Sequence, residues 1–356
     1  MKTIVPITVI ICATIACNGP EVNSYYPTNR EPLTQAAYVK LPLGAIRPHG
    51  WLNNQLTIQA NGLTGHLDEF WPSVQNSAWK GGDGEAWERG PYYLDGLIPL
   101  AYLLDDQRLI QKSQVWIEWI LSSGQDNGWF GPDTNADRWP LAVTMKALTQ
   151  YQEATGDKRV IPLLTNYFSY LNNESPDWPD SEWRGVRAKE NLLSAFWLYN
   201  RTGNRDILKV AESITASSYD WSSYFREFPW DTDALNEGRI PHIWDAPGLT
   251  AHVVNIAMAV KYPGLRYLLT GDESYKSRVF EALRNLDEHH GQVTGRFSGD
   301  EHLSGKRPTQ GTEYCAVVEF MFSLEELMEI LGDARLADRL EMLAFNAIPG
   351  TTMPDF

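Results

Sequence analysis

Five short phrases, "YLLDDQRLI", "QEATGDKRV", "YNRTGNRDI", "YLLTGDESY" and "MEILGDARL", recur around Asp106, Asp157, Asn204, Asp272 and Asp333. Each reads as the end of one helix, a Gly-Asp type turn and the start of the next. In the second copy Leu141, Met145 and Leu148 fall at i, i+4 and i+7 before the turn, and Ile161, Leu164 and Phe168 at i, i+3 and i+7 after it. Helix, turn, helix is therefore the unit. Strand-like alternation is scarce between residues 90 and 345, and the spacing is too uneven for a stacked solenoid of identical repeats. The predicted fold is all-α: a closed ring of helical hairpins, an (α/α)6-type toroid. The long connections "GQDNGWFGPDTNADRWP", "EFPWDTDALNEGRIPHIWDAP" and "HHGQVTGRFSGDEHLSGKRPTQGTEYC" would converge at one end of the ring, and functional residues are expected on them.

A chain of 356 residues with 43% hydrophobic residues can bury about three quarters of the surface its unfolded form exposes. The balance of 45 acidic against 30 basic residues, a net charge of −15, disfavours phosphate contacts, so a nucleic-acid partner is not expected. Fourteen tryptophans and sixteen tyrosines are the kind of flat surface on which sugars stack, although composition alone places such rings in the core.

Met1-Lys2-Thr3 and the apolar run "IVPITVIICATIA" are too short for a permanent membrane span and read as an export signal over residues 1–17. The "TIAC" end resembles a lipoprotein box, with Thr14 where leucine is usual, so Cys17 is expected to be lipidated and the membrane contacted through that anchor alone. A periplasmic or outer-membrane-anchored location follows; plain secretory cleavage is the alternative. Residues 18–36 read as a flexible tether and 37–356 as the folded domain. Cys12 leaves with the signal. With Cys17 lipidated, one free thiol is left, too few for a disulfide framework or for a zinc site that needs two or four cysteines.

That thiol lies in "GTEYCAVVE", residues 311–319. Thr312 is the expected N-cap, which places Cys315 at the third helical position, where the helix dipole favours a thiolate. Glu313 and Cys315 straddle the helix start and can face the same way, and both are zinc-ligand types. A packed core cysteine is the alternative.

Gly299-Asp300-Glu301 and the run "GKRPTQGTEYCAVVEFMFSLEELMEILGDARLADRLEMLAFNA" resemble glycoside hydrolase family 127, the β-L-arabinofuranosidase group. So do "GWLNNQLTIQANGLTGHLDEFW", "PYYLDGLIPLAYLLDD" and "DRWPLAVTMKALTQY", which look like a divergent branch; the resemblance runs from about Leu41 onward. It implies a retaining glycosidase in which a zinc-bound cysteine thiolate attacks the anomeric carbon and a glutamate serves as acid, then base. In that family the zinc is held by one glutamate and three cysteines. Carried over, Glu313 and Cys315 would be zinc ligands, Glu301 the general acid/base, and His252, in "TAHVVNIAMAVK", a substrate contact. Glu88, Asp137 and Trp139 of the Trp-rich stretches are further candidates for substrate binding. The chemistry is coherent, because a leaving oxygen needs a proton from a positioned carboxyl and metal coordination keeps a thiol ionised. Taken singly, Glu301 could be a solvated loop carboxylate and His252 a hydrogen-bonded core residue.

The resemblance has two departures. The family's remaining ligands and nucleophile lie on an adjacent Cys-Cys pair, and this sequence reaches Met353-Pro354-Asp355-Phe356 without one. A truncated product is therefore expected, lacking the usual appended β-sandwich and exposing parts of Phe320, Leu324, Leu327 and Phe345. The segment around Arg138-Trp139-Pro140 also lacks a histidine found in better-known members, so their sugar specificity does not transfer. The expected substrate is an oligosaccharide or polysaccharide of plant type, carrying β-L-arabinofuranose or a related sugar. Two other readings stand beside it. One is a metal-free toroid enzyme, an unsaturated-uronide hydrolase or a lyase, using Glu85, Glu88, Asp95, Asp133 or Asp137. The other is a non-catalytic glycan-binding surface lipoprotein.

Overall fold

A computed structural model describes residues 27–241 and 248–351. The recurring phrases are the hairpin turns. Gly156, Gly203, Gly271 and Gly332 end their helices at φ of 70°, 69°, 71° and 66°, and Asp105 takes that left-handed place in the first copy at 55°. The residue that follows then uses its side chain to accept the free amides of the next helix: Asp106 those of Arg108 and Leu109, Asp157 that of Arg159, Asn204 that of Asp206, Asp272 that of Ser274, Asp333 that of Arg335.

Helices α1 (Trp51–Asn61), α2 (Leu63–Phe70) and α3 (Pro72–Gln75) precede the first turn. Then come the hairpins α4 (Arg89–Leu104) with α5 (Gln107–Ser122) and α6 (Trp139–Thr155) with α7 (Val160–Glu174). The short α8 (Trp183–Val186) leads to α9 (Asn191–Thr202) with α10 (Arg205–Ser217), followed by α11 (Trp221–Arg226) and α12 (Thr232–Asn236). Last are α13 (Val253–Ala259), running on into α14 (Tyr262–Thr270) and paired with α15 (Ser274–His290), and α16 (Tyr314–Leu331) with α17 (Ala334–Met342). The helices α4, α6, α9, α13–α14 and α16 line the centre, and α5, α7, α10, α15 and α17 lie outside them. This is the all-α toroid that the turns imply.

At the centre, polar groups are paired rather than absent. Tyr92 of α4 donates to Glu319 of α16 at 2.8 Å, Lys146 of α6 pairs with Asp95 of α4 at 2.9 Å, and the fully buried Lys261 pairs with Glu190. The Phe322 ring lies 4.2 Å from the Lys146 ammonium and 5.1 Å from that of Lys261. Buried charges hold only with such partners.

Two expectations are corrected here. Residues 27–36, read as tether, lie against the domain with Leu33 only 2% exposed. The amides of Thr34, Ala37 and Tyr38 donate to the carbonyls of Leu268, Ile330 and Glu329 at 2.7, 3.1 and 2.9 Å, and that of Arg30 donates to the Asn200 side chain at 2.9 Å. The last carbonyls of a helix have no partner within it, so this strap supplies donors that α14 and α16 lack. Phe320, Leu324 and Leu327, expected at an open flank, are buried, α16 being packed against α13, α14 and α17 and the Phe320 ring meeting Phe297 at 5.3 Å; Phe345 is exposed and meets the Trp51 ring edge-on at 5.1 Å. The signal, Cys12 and Cys17 lie outside the described residues. Among the described residues no helix is long and apolar enough to cross a membrane.

Candidate active site

After α15 the chain makes a minimal hairpin, β1 (Gly299–Asp300) against β2 (His302–Leu303), with Glu301 at its tip. Glu301 sits at φ 73°, a left-handed backbone that non-glycine residues take at a cost of about 1–3 kcal/mol and that clusters at functional sites. Both edges of the hairpin are stitched to neighbouring backbone. On one side the Val253 amide donates to Glu301 O at 3.0 Å and the Leu303 amide to Ala251 O at 3.1 Å. On the other the Glu313 amide donates to Gly299 O at 2.8 Å and the Gly299 amide to Gly311 O at 3.1 Å. Gly299 is required by this close approach, since a Cβ there would stand 2.1 Å from Val253 Cγ1. The hairpin base hangs on buried His290, whose Nδ1 accepts the Gly305 amide at 2.9 Å while Nε2 donates to Trp230 O.

The stitching brings three sequence-distant side chains together. Donor atoms of His252, Glu301 and Glu313 lie within 4.8 Å of one another, with His252 Nε2 3.4 Å from Glu301 Oε2 and 3.9 Å from Glu313 Oε2. His252 is 4% exposed, and burial, then the charge of Arg187, push it down to about 3, so it is neutral. Its Nδ1 accepts the Asn255 amide at 3.3 Å as the cap of α13, which leaves the ring proton on Nε2. His252 thus presents an N–H to the two carboxylates. In that tautomer it offers no lone pair there, so a cation held by all three would need the ring proton moved to Nδ1.

Glu313 caps α16 by backbone position only, without a capping side-chain bond. This corrects the expectation of Thr312 as N-cap: Thr312 is bridged to Gly299, and Cys315 is the second residue of the helix, not the third. Glu313 Oε2 is buried without a hydrogen-bond partner, and burial, then the charge of Glu301, push the carboxyl up to about 7. The Cys315 side chain is exposed to solvent beside Glu313. Loss of hydration, then the charge of Glu313, push its thiol up to about 11 in the metal-free protein, so the helix dipole does not prevail as expected. A partnerless buried carboxylate oxygen beside a thiol is the donor pair that zinc takes, and Glu313 with Cys315 fits it. The expected pair therefore stands as a candidate, and His252 is not part of it.

The Trp-rich stretches contribute differently from expectation. Trp139 is 3% exposed, with no face free to stack on a sugar, and its indole N–H donates to Glu88. Asp137 holds the loop, accepting from Trp87 Nε1 at 2.8 Å and from the Trp139 amide at 3.0 Å. Glu88 pairs with Arg187 at 3.2 Å, Asp95 with Lys146, and Asp133 accepts from Gln125 at 3.0 Å, while Glu85 is raised by burial. Three residues the sequence reading missed stand behind His252. Arg187 lies between the Trp139 and Trp183 rings at 4.5 Å from each, Trp183 meets His252 edge-on at 5.1 Å, and Asn255 joins Arg187 to His252. Nothing local marks Arg187 apart from Arg184, which lies three residues earlier and pairs with Glu182 in partly solvated surroundings.

Residues 57–356 match the family described as "Beta-L-arabinofuranosidase, GH127 catalytic domain". The chain belongs to family GH127. Among solved structures it is similar to one described as "Glycoside hydrolase", at 16% identity and TM-score 0.65, over 91% of this chain and 54% of that one. It is also similar to the GH127 β-arabinofuranosidase BT3674, at 15% identity and TM-score 0.60, over 92% and 55%. A third is Ara127N-Se, a GH127 β-L-arabinofuranosidase from Geobacillus stearothermophilus T6, at 17% identity and TM-score 0.59, over 85% and 55%. At these identities the likeness is one of fold, and the GH127 chain here spans about half the length of those structures. No curated protein matches it.

Proposed function

We propose that this GH127 chain supplies the acid/base of a retaining glycoside hydrolase acting on plant-type glycans, releasing β-L-arabinofuranose or a related sugar. The observation that supports it is Glu301: a solvent-facing carboxylate fixed on a left-handed hairpin tip, 3.4 Å from a neutral histidine and next to Glu313. In this reading Glu301 protonates the leaving oxygen and then takes a proton from the incoming water. His252 orients it with a fixed N–H. Glu313 and Cys315 would hold zinc, which when bound keeps a thiol ionised and directed. The three cysteines are Cys12, Cys17 and Cys315, none adjacent to another, so no Cys-Cys pair is found within residues 1–356. Residues 37–356 by themselves are accordingly expected to be helical and catalytically silent.

Export through residues 1–17 and lipidation at Cys17 belong to the same proposal. Incorporation of labelled fatty acid, lost in Cys17→Ala, tests it. The activity is tested by zinc content and hydrolysis of aryl β-L-arabinofuranosides, with and without a Cys-Cys-bearing partner segment from a relative. Zinc uptake and hydrolysis in the combined protein support the reading. Robust hydrolysis by residues 37–356 alone would overturn the cysteine-nucleophile assignment.

A further inference from the structure

A cation sealed between two indoles needs a reason. The Arg187 side chain is 5% exposed, and moving a charge out of water costs several kcal/mol unless its partners are well placed. Apolar side chains would fill the same gap without that cost. What the guanidinium adds is direction, because it is planar and carries donors along fixed lines. One line runs from Nη1 to Glu88 Oε2 at 3.2 Å, and another from Nε to Asn255 Oδ1 at 2.7 Å. Asn255, 1% exposed, is held at its other end by donating Nδ2 to Leu249 O at 2.8 Å. Its backbone amide is the one that caps His252 Nδ1. The guanidinium also stacks on Trp183, whose ring edge supports the His252 imidazole from the side. Two arms of Arg187 therefore end on the same ring.

We infer that Arg187 is a positioning residue. Acting through Asn255 and Trp183, it locks His252 in the tautomer and orientation that aim Nε2–H at Glu301 and Glu313. This deepens the reading of His252 as a residue of the active site and rests on it. The geometry itself is independent of any hydrolysis, so the two can fail separately.

The test is long-range 1H–15N correlation on the imidazoles of the full chain at neutral pH, with the His252 signals assigned by their loss in His252→Gln. In the unsubstituted protein His252 should show the wide separation of its two ring nitrogens that a single Nε2–H tautomer gives. In Arg187→Met that separation should collapse towards the mean of the two tautomers, and Arg187→Lys, which keeps charge but not direction, should not restore it. Should Arg187→Met fail to fold, Asn255→Ser cuts the same arm while leaving the cation stacked between its tryptophans, and the same collapse is expected. A folded variant of either kind with the separation intact would overturn the inference, as would a His252 already averaging in the unsubstituted protein. A merely structural Arg187 would lower stability and leave this pattern unmoved.

Discussion

His252 Nε2 stands 3.4 Å from Glu301 Oε2, where the Glu301 carbonyl accepts the amide of Val253, next along the chain from His252. A backbone bond thus sets a side-chain distance. The hairpin tip cannot move relative to the histidine without breaking it.

Glu301→Gln keeps shape and hydrogen bonding but removes the proton. In enzyme that turns over substrate, the loss should be roughly 10²–10⁴-fold for sugars with poor leaving groups and small for activated aryl glycosides, which leave without protonation. Comparing kcat/KM across a leaving-group series checks this. Equal losses on both would make Glu301 a structural residue.

In the protein combined with a Cys-Cys-bearing segment, Cys315→Ser and Glu313→Gln should each weaken zinc binding by at least about tenfold, read by competition with a chromophoric chelator, with an unchanged far-UV spectrum. His252→Gln should leave zinc affinity near that of the parent, because its Nε2 carries a proton and offers no lone pair. The reverse ranking would make the histidine the ligand.

Gly299→Ala forces a methyl to within 2.1 Å of Val253 Cγ1 and 2.7 Å of His302 O. Overpacking of this kind costs about 1–3 kcal/mol. Urea unfolding should show that loss, and the residual protein should bind zinc less tightly because the hairpin spreads from α13. An undiminished midpoint would mean that the stitching is loose.

Stability should fall with acid through His290. Burial lowers its folded value from 6.5 to about 4, so between those limits the unfolded chain binds a proton that the folded one refuses. The contribution is fully present above pH 6.5 and is lost as pH falls towards 4, up to about 3 kcal/mol in all. The Gly305 amide loses its acceptor on protonation, so the site hairpin should loosen first. Hydrogen exchange at Gly305 and urea midpoints across this range check it, and His290→Asn should make the profile shallower, leaving the part that His252 contributes.

The hairpins were legible because their signal is local: a left-handed glycine and a short side chain that accepts two residues on act within one turn. Glu301, Glu313 and His252 were reached by family resemblance, and their spacing could not show that they meet, since the meeting depends on backbone bridges between distant segments. Thr312 was preferred as N-cap on residue type, yet its backbone is held extended by Gly299, and the helix starts after it. The thiol was expected to ionise at a helix start, but partial loss of hydration and three carboxylates outweigh the dipole. Trp139 shows the same blindness, because a tryptophan in a loop-like stretch looks exposed until the helix it opens is packed.

The strap of residues 27–38 ties the first part of the folded body to helix ends near residues 200, 268 and 330. During synthesis these residues leave the ribosome long before their last docking surface exists. At ordinary elongation rates of about 5–20 residues per second, that wait is roughly 15–60 s. The strap is therefore the first part of the domain to be made and among the last to be seated. Throughout that interval the amides of Ala37 and Tyr38 wait for carbonyls of α16 that have not yet been made, and a chaperone or a premature stop acts on a ring that is still untied.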